Sequence, residues 1–458
     1  MQSRSRSSRT RNWLIAIIVV AGLLRVGAAC GLQFLLDHRW HRDFLIEGDA
    51  EGYWLLAQQI VKGEDYAIHN PPRYALRMPG FPALLAIPVA LFGPSLFAAR
   101  LFLAGIGTLA CALTYLLGKR LFNERVGLIA AGLTAISPTF IVFSVEFLCE
   151  TAFAVMVLWS LISGHRVFQL LSEARLPAGK ILLHSHLTGL AIAAGVYQRP
   201  SWILAAPIVA GLLLLTARPG RRMASLSAGV LIVVGMVLVL LPWGIRNQVV
   251  TGHFTLTTFW MGPSLYDGLN PDATGDSNME FYDRNPETRG MSEFEVDQYY
   301  RAKGQQFALE NPGRTLELAA LKAVRYWKPW PNAEQFRHPL AMISVSVLWV
   351  PMLLLAGLGA VWLLRNREGT GGVFVCSGSV PCQTLREAIW SVSILAGPIF
   401  YFAILHLIFV SSLRYRLPVE YPLLVLAALG IVICFRLGRG CSEENSQNAP
   451  VTSGRATV

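Results

Sequence analysis

The sequence predicts an all-α polytopic membrane protein, with about ten transmembrane helices, interfacial helices and a small mixed extracytoplasmic segment. Three observations carry this expectation. Of 458 residues, 53% are hydrophobic and 15% charged, with a mean hydropathy of +0.47, too apolar for an ordinary soluble domain. Apolar runs of about 20 residues, the length that crosses hydrocarbon, recur along the chain. Basic residues sit in short clusters at every second connection between those runs, the pattern of cytosolic loops.

In order, the runs lie near 13–36, 95–118, 126–145, 150–169, 181–198, 201–217, 223–244, 338–364, 389–412 and 417–436. Arg4, Arg6, Arg9 and Arg11 precede the first, and Lys119, Arg120 and Arg125 follow the second. His165, Arg166, Arg175 and Lys180 follow the fourth, Arg218, Arg221 and Arg222 the sixth, Arg365, Arg367 and Arg386 flank the loop after the eighth, and Arg436 and Arg439 follow the last. The positive-inside rule then makes these connections and both ends cytosolic. The N-terminal stretch "MQSRSRSSRTRNWLIAIIVVAGLL" has the basic-then-apolar order of a signal peptide. Its apolar run continues to about Leu36, which reads as an uncleaved first helix. "MPGFPALLAIPVALFG" (Met78 to Gly93) is apolar but short. Were it to cross, the basic Lys119 cluster would move outside, so it is expected to lie at the outer interface.

The net charge of +11 resides in those loop clusters, which argues against a nucleic-acid partner. The seven cysteines are mostly isolated in apolar surroundings and lack zinc-ligand spacing; Cys376 and Cys382 share a loop expected to be cytosolic, where thiols stay reduced. The expected organisation is an N-terminal transmembrane module at 1–245 that includes the outer loop 37–94. An extracytoplasmic segment at 246–337, transmembrane helices at 338–436 and a cytosolic disordered tail at 437–458 complete it.

Polar chemistry gathers at the outward ends. In the first outer loop, "IEGDAEGYW" sets Asp49 and Glu51 beside an amphipathic stretch whose Tyr53, Leu56 and Ile60 share a helical face. Acids against an apolar surface tend to gain proton affinity, which suits a general base or a metal ligand. Asp49 as an ordinary helix N-cap is the competing reading. "SVEFLCETAF" leaves Glu146 and Glu150 at the outer boundary, "GVYQRPSW" ends on Arg199, and "LLPWGIRN" ends on Arg246 and Asn247. The short turn "SSLRYRLPVEYP" carries Arg414, Arg416 and Glu420. A single arginine at a span end is commonly a headgroup anchor, whereas several converging on acids point to an anionic phosphate, which guanidinium binds through paired hydrogen bonds. In 246–337, "GHFTLTTFWMGPSLYDG" has the composition of a short strand, followed by turn signals and then one or two amphipathic helices. Its aspartates lack the glycine and final glutamate of a calcium loop, so no metal is assigned there.

No phosphate-binding P-loop, dinucleotide fingerprint, GxSxG or HExxH occurs, which argues against an ATP-driven pump, a nicotinamide enzyme, a serine hydrolase and a zinc protease. The spans show no matched pair of broken helices, which weakens secondary transport.

In their order, "GDAEGYWLLAQQIVKG", "RMPGFPALLAIPVALFG", "ISPTFIVFSVEFLCETAF", "QRPSW", "LPWGIRNQVVTGHF" and "RYRLPVEYPLLVLAALG" resemble the polytopic GT-C glycosyltransferases. The likeness is to the bacterial protein O-mannosyltransferase and lipid A aminoarabinose transferase group, from about residue 15 to 435. The resemblance implies a GT-C-like fold in a bacterial cell membrane and a polyprenyl-phosphate sugar donor. It also implies an acid in the first outer loop that acts on the acceptor, a place that Asp49 fills. Where that group often has adjacent acids or Asp-x-Asp, this chain has Asp-Ala-Glu. On this reading Asp49 deprotonates an acceptor hydroxyl, with Glu51 as the second candidate acid. Arg246, Arg414, Arg416 and Arg199 meet the donor phosphate, and Tyr53, Arg77, Glu150 and Asn247 contact substrate. Direct displacement then inverts the anomeric centre. The acidic pair serves equally as base or as ligand for a divalent metal, and no cofactor is fixed. Partners are the donor lipid, a lipid, glycan or protein acceptor, and the bilayer. A transporter or flippase of a lipid-linked glycan is the alternative, with a non-enzymatic assembly factor as a third reading.

Overall fold

The structure, a computed structural model, describes residues 2–331, 339–366 and 383–447. Cys376 and Cys382 lie outside them, as does the end of the tail from 448. Helix α1 (Gln2–Leu35) continues through a π turn to Trp40, and α2 (Asp49–Lys62) and α3 (Gly80–Phe92) occupy the long loop that follows. Then come α4 (Leu96–Leu121), α5 (Glu124–Ile136), α6 (Pro138–Phe143), α7 (Glu150–Ser172), α8 (Ala178–Gln198), α9 (Ala205–Leu215) and α10 (Arg222–Thr251). The second long segment holds α11 (Met261–Gly268), α12 (Glu280–Arg284), α13 (Glu293–Glu310) and α14 (Pro312–Trp327). Helices α15 (Pro339–Arg365), α16 (Leu385–Ile408) and α17 (Leu413–Gln447) follow. Among the described residues seven helices are long and apolar enough to cross a membrane, and nothing longer than an isolated bridge forms a strand.

The helices differ from the ten-run reading in four places. The run 126–145 is divided into α5 and α6, because Pro138 lacks an N–H and cannot continue the α5 ladder. The break exposes carbonyls at the end of α5, and the buried Arg25 of α1 reaches across to donate to the Thr134 and Ala135 oxygens at 3.2 and 3.3 Å. The run 201–217 becomes a 3-10 turn, Pro200–Trp202, and the short α9. The run 181–198 is α8, of spanning length but outside the apolar set of seven; Lys180, His184 and His186 lower its hydropathy. The last helix runs to Gln447, past the boundary at 436 drawn from hydropathy.

Helix α3, at 13 residues, is about 20 Å long and too short to cross. Gly80 lets its first turn touch the end of α8: a Cβ there would lie 2.5 Å from the Tyr197 carbonyl oxygen.

The short strand expected within "GHFTLTTFWMGPSLYDG" (252–268) is absent. Thr255 and Thr257 have their carbonyls bound by side chains of α10: Asn247 Nδ2 donates to both, and Trp243 Nε1 donates to Thr257 at 2.9 Å. Those acceptors are thus engaged without a sheet partner. Helix α13 opens on a capping box between Ser292 and Glu295. Its Glu293 accepts from the Tyr74 and Ala75 amides at 3.0–3.2 Å, tying the first long loop to the second long segment.

Helices α7 and α17 are the most enclosed spans, with 78% and 89% of their apolar windows buried. Both begin at the same end of the bundle, and their first turns carry Glu150 and Arg414. The centre of the fold therefore delivers charged groups to one end.

Candidate active site

Helix α2 starts from Gly48, whose φ of +75° suits glycine. Asp49 is thus the first helical residue, and its carboxylate does not serve as a cap. It faces two guanidiniums instead, with Oδ1 2.8 Å from Arg77 Nη2 and Oδ2 2.7 Å from Arg414 Nη1. Arg77 lies over the Tyr53 ring at 4.7 Å, where Gly52 leaves it room: a Cβ at Gly52 would stand 3.1 Å from Arg77 Nε.

Arg414 also donates through Nε to Glu150 Oε1, and Arg199 Nη2 reaches the same oxygen at 3.1 Å. Glu150 is fully buried at the first turn of α7, where the helix dipole favours an anion. Arg199, at the C-terminal end of α8, is stacked over Tyr415 at 5.1 Å. The cluster holds the guanidiniums of Arg77, Arg199 and Arg414 against the carboxylates of Asp49 and Glu150, an excess of positive charge. Arg77 Nε, Arg199 Nη1 and Glu150 Oε2 are buried without hydrogen-bond partners.

Beside it opens a cavity of about 320 Å³, walled by Leu45, Ile46, Val142 and Phe143, with Arg414, Glu146 and Asp276 as charged lining residues. Glu146 sits in the non-helical link between α6 and α7. It is 3% exposed, with Oε1 unpartnered.

The expectation of raised proton affinity fails for Asp49. Its enclosure does push the carboxyl up, but the Arg414 and Arg77 guanidiniums outweigh that and hold it well below the usual carboxylate range. Glu146 is instead an acid of raised proton affinity, which burial pushes up to about 7 against the pull of Arg100 and Arg42. Arg100 leaves it without an ion pair because its own donors go to Gln33 Oε1 and the Asp43 carbonyl at 2.6 and 2.7 Å.

The tertiary fold thus joins Asp49, Arg77, Glu150, Arg199, Arg414 and Tyr53. It does not join the others read from the sequence. Glu51 points to solvent. Arg246 donates to the Tyr66 and Tyr74 carbonyls at 3.0 and 2.6 Å, holding the first long loop against α10. Asn247 binds the 255–257 backbone. Arg416 is buried, donating to the Tyr326 and Lys328 carbonyls and pairing with Glu420 at 2.5 Å. Two positions apart on a helix, Arg414 and Arg416 point about 200° from each other, so one meets the cluster and the other turns away. Glu146 and Tyr415 were outside the candidate set; a charged residue at an interrupted span end was the signal for Glu146.

Among the described residues no three His, Cys, Asp or Glu side chains are grouped to hold a metal ion. Both Asp49 oxygens already face guanidiniums, so the arrangement fits an anion better than a cation.

Residues 72–245, less than half of the chain, match the profile of the family described as dolichyl-phosphate-mannose-protein mannosyltransferase. That region contains Arg77, Glu146, Glu150 and Arg199. The archaeal oligosaccharyltransferase AglB from Archaeoglobus fulgidus, solved with an inhibitory peptide and a dolichol-phosphate, aligns with a TM-score of 0.55 at 15% identity, over 96% of this chain and 52% of its own. The apo form of the same enzyme gives the same figures. ArnT from Cupriavidus metallidurans, bound to undecaprenyl phosphate, aligns with a TM-score of 0.45 at 15% identity, over 92% of this chain and 60% of its own. A comparison with curated protein sequences gives no match. The chain has the GT-C glycosyltransferase fold its motifs led us to expect, and it spans about half the length of the archaeal enzyme.

Proposed function

We propose that the protein is an integral-membrane glycosyltransferase. It moves a hexosyl or pentosyl group from a polyprenyl-phosphate donor to a hydroxyl of a lipid, glycan or protein acceptor, on the extracytoplasmic face and with inversion. The observation that carries this is Arg414, held between Asp49 and Glu150 at the wall of an apolar cavity. A lipid-linked donor stays in the bilayer, so its phosphate must be met where a guanidinium borders apolar surface. Arg414 and Arg199 receive that phosphate, and the apolar wall takes the first isoprenoid units. The dolichol-phosphate in the archaeal enzyme of the same fold supports this ligand class.

The leaving group departs as a phosphate anion, so no strong general acid is required. Catalysis then rests on orientation and on guanidinium charge at the departing oxygen, where one such donor is worth about 10²- to 10³-fold. Glu150 orients Arg199 and Arg414 together. Asp49 holds Arg414 and Arg77 in place; as an acid of depressed proton affinity it acts through position rather than as the base.

The test is reconstitution in liposomes with radiolabelled polyprenyl-phosphate hexoses and pentoses. Release of polyprenyl phosphate with transfer of label supports the proposal. Movement of intact labelled lipid between leaflets without release of phosphate would overturn it in favour of a flippase.

A further inference from the structure

If Asp49 is a poor base, the acceptor's proton needs another destination. Within the cluster, Glu150 Oε1 is shared by Arg199 and Arg414, and Glu150, although its Oε2 is unpartnered, is not among the residues that line the cavity. Glu146 is different: its carboxyl lines the same cavity as Arg414, it is 97% enclosed by the fold, and no guanidinium or amide is bonded to its Oε1. A buried carboxylate with an oxygen left unpartnered is costly, and at a cavity wall that oxygen is placed to take a proton or a hydroxyl from a ligand.

We propose that Glu146 is the proton acceptor of the transfer step. This rests on the glycosyltransferase reading above and adds a catalytic residue to it. The acceptor hydroxyl gives its proton to the Glu146 carboxylate as its oxygen bonds to the anomeric carbon. The bond from that carbon to the phosphate oxygen breaks, its electron pair leaving on the phosphate beside Arg414. Glu146 then returns the proton to water, and polyprenyl phosphate and the glycosylated acceptor are the products.

The link between α6 and α7 explains how the fold can place a carboxyl there. Pro138 ends α5, α6 spans only Pro138–Phe143, and the chain turns through 144–149 before α7. Glu146 therefore projects from a loop held between two helices. The charged and titratable groups facing it are Arg42 of the first long loop, Arg100 of α4, Glu150 of α7, Arg414 and Tyr415 of α17, and Asp276 across the cavity. Arg42 and Arg100 favour its ionised form, Glu150 and burial its neutral form, and the balance sits near neutrality. A carboxyl so poised is matched to proton transfer at physiological pH.

The experiment measures donor consumption in proteoliposomes across pH 5.5 to 9 (about three and a half decades of proton activity, spanning the carboxyl's midpoint), for wild type, Glu146→Gln and Asp49→Asn. Wild-type kcat/KM should rise with pH through about 7, the value for Glu146. Glu146→Gln should lower kcat about 100-fold or more with donor KM little changed, and should remove that rise. Asp49→Asn should lower the rate yet keep the rise. A Glu146→Gln variant with wild-type rate and pH profile overturns the inference while leaving the glycosyltransferase reading intact. A wild-type profile flat through neutrality overturns it even if the variant misfolds. Absence of donor consumption in wild type with every sugar tried defeats the broader reading, and this inference with it.

Discussion

Arg414 Nη1 lies 2.7 Å from Asp49 Oδ2, joining the first turn of α17 to the first turn of α2. The same guanidinium bonds Glu150 at the start of α7, so one side chain ties together the first long loop and the two most enclosed helices. A fork-shaped cation is needed for this, because a lysine ammonium cannot hold two carboxylates in a fixed plane. Arg414→Lys should therefore lower kcat/KM about 10²-fold in a donor-consumption assay, with helix content by circular dichroism unchanged. Equal activity of the two proteins would remove Arg414 from the phosphate site.

Arg416 provides the contrast. Its donors hold the Tyr326 and Lys328 carbonyls and Glu420, and its guanidinium lies 3.8 Å from the Trp349 ring centroid. Arg416→Gln leaves Glu420 buried without its partner, a change that costs about 3–5 kcal/mol. The expected result is a large fall in thermal midpoint in detergent, with residual folded protein retaining its donor KM.

The two acids of "GDAEG" should separate cleanly. Asp49→Asn removes the charge and leaves one acceptor oxygen for two guanidiniums, and should lower transfer at least 100-fold, about the contribution of one oriented charged group. Glu51→Gln, at an exposed position, should stay within about twofold of wild type, since a surface change away from any contact shifts little. Equal loss in both variants would show that the pair acts together.

The Asp49 ion pairs also carry a pH signature. The folded-state proton affinity of Asp49 is depressed from an unfolded value near about 3.9. Its stabilisation is therefore fully present above that value and is lost only as pH falls through the lower folded one. Between pH 5 and 9, an interval above about 3.9 throughout, the stability gap between wild type and Asp49→Asn should be constant. Chemical denaturation at the two ends of that range checks this, and a gap that closes at pH 5 contradicts the pairing.

Gly80 tests the packing of α3. A Cβ at Gly80 would lie 2.5 Å from the Tyr197 carbonyl, whereas one at Gly105 meets nothing within 4 Å. Gly80→Ala should destabilise by about 1–3 kcal/mol through overpacking. Gly105→Ala, in the interior of α4, should be neutral or stabilising by up to about 1 kcal/mol. Thermal unfolding of the two variants decides the matter, and similar midpoints would count against the tight α3–α8 contact.

By itself the sequence determined the class of the molecule and the end of it that carries charge. Hydropathy requires apolar helices, because backbone groups in hydrocarbon must be satisfied within the chain, and the alternation of basic loops sorts the helix ends into two sets. Asp49, Glu150, Arg199 and Arg414 all belong to one set, and they do meet. What only the tertiary structure decided is which charges face one another. Hydropathy has no angular resolution at a span end, so it could not tell Arg414 from Arg416, whose directions differ by about 200°. Nor could it place Arg246 and Asn247 inside a helix that runs on to Thr251. Proton affinity lay further out of reach: Asp49 and Glu146 both sit beside apolar surface, and only the three-dimensional positions of Arg77, Arg100 and Arg414 make one a fixed anion and leave the other able to titrate.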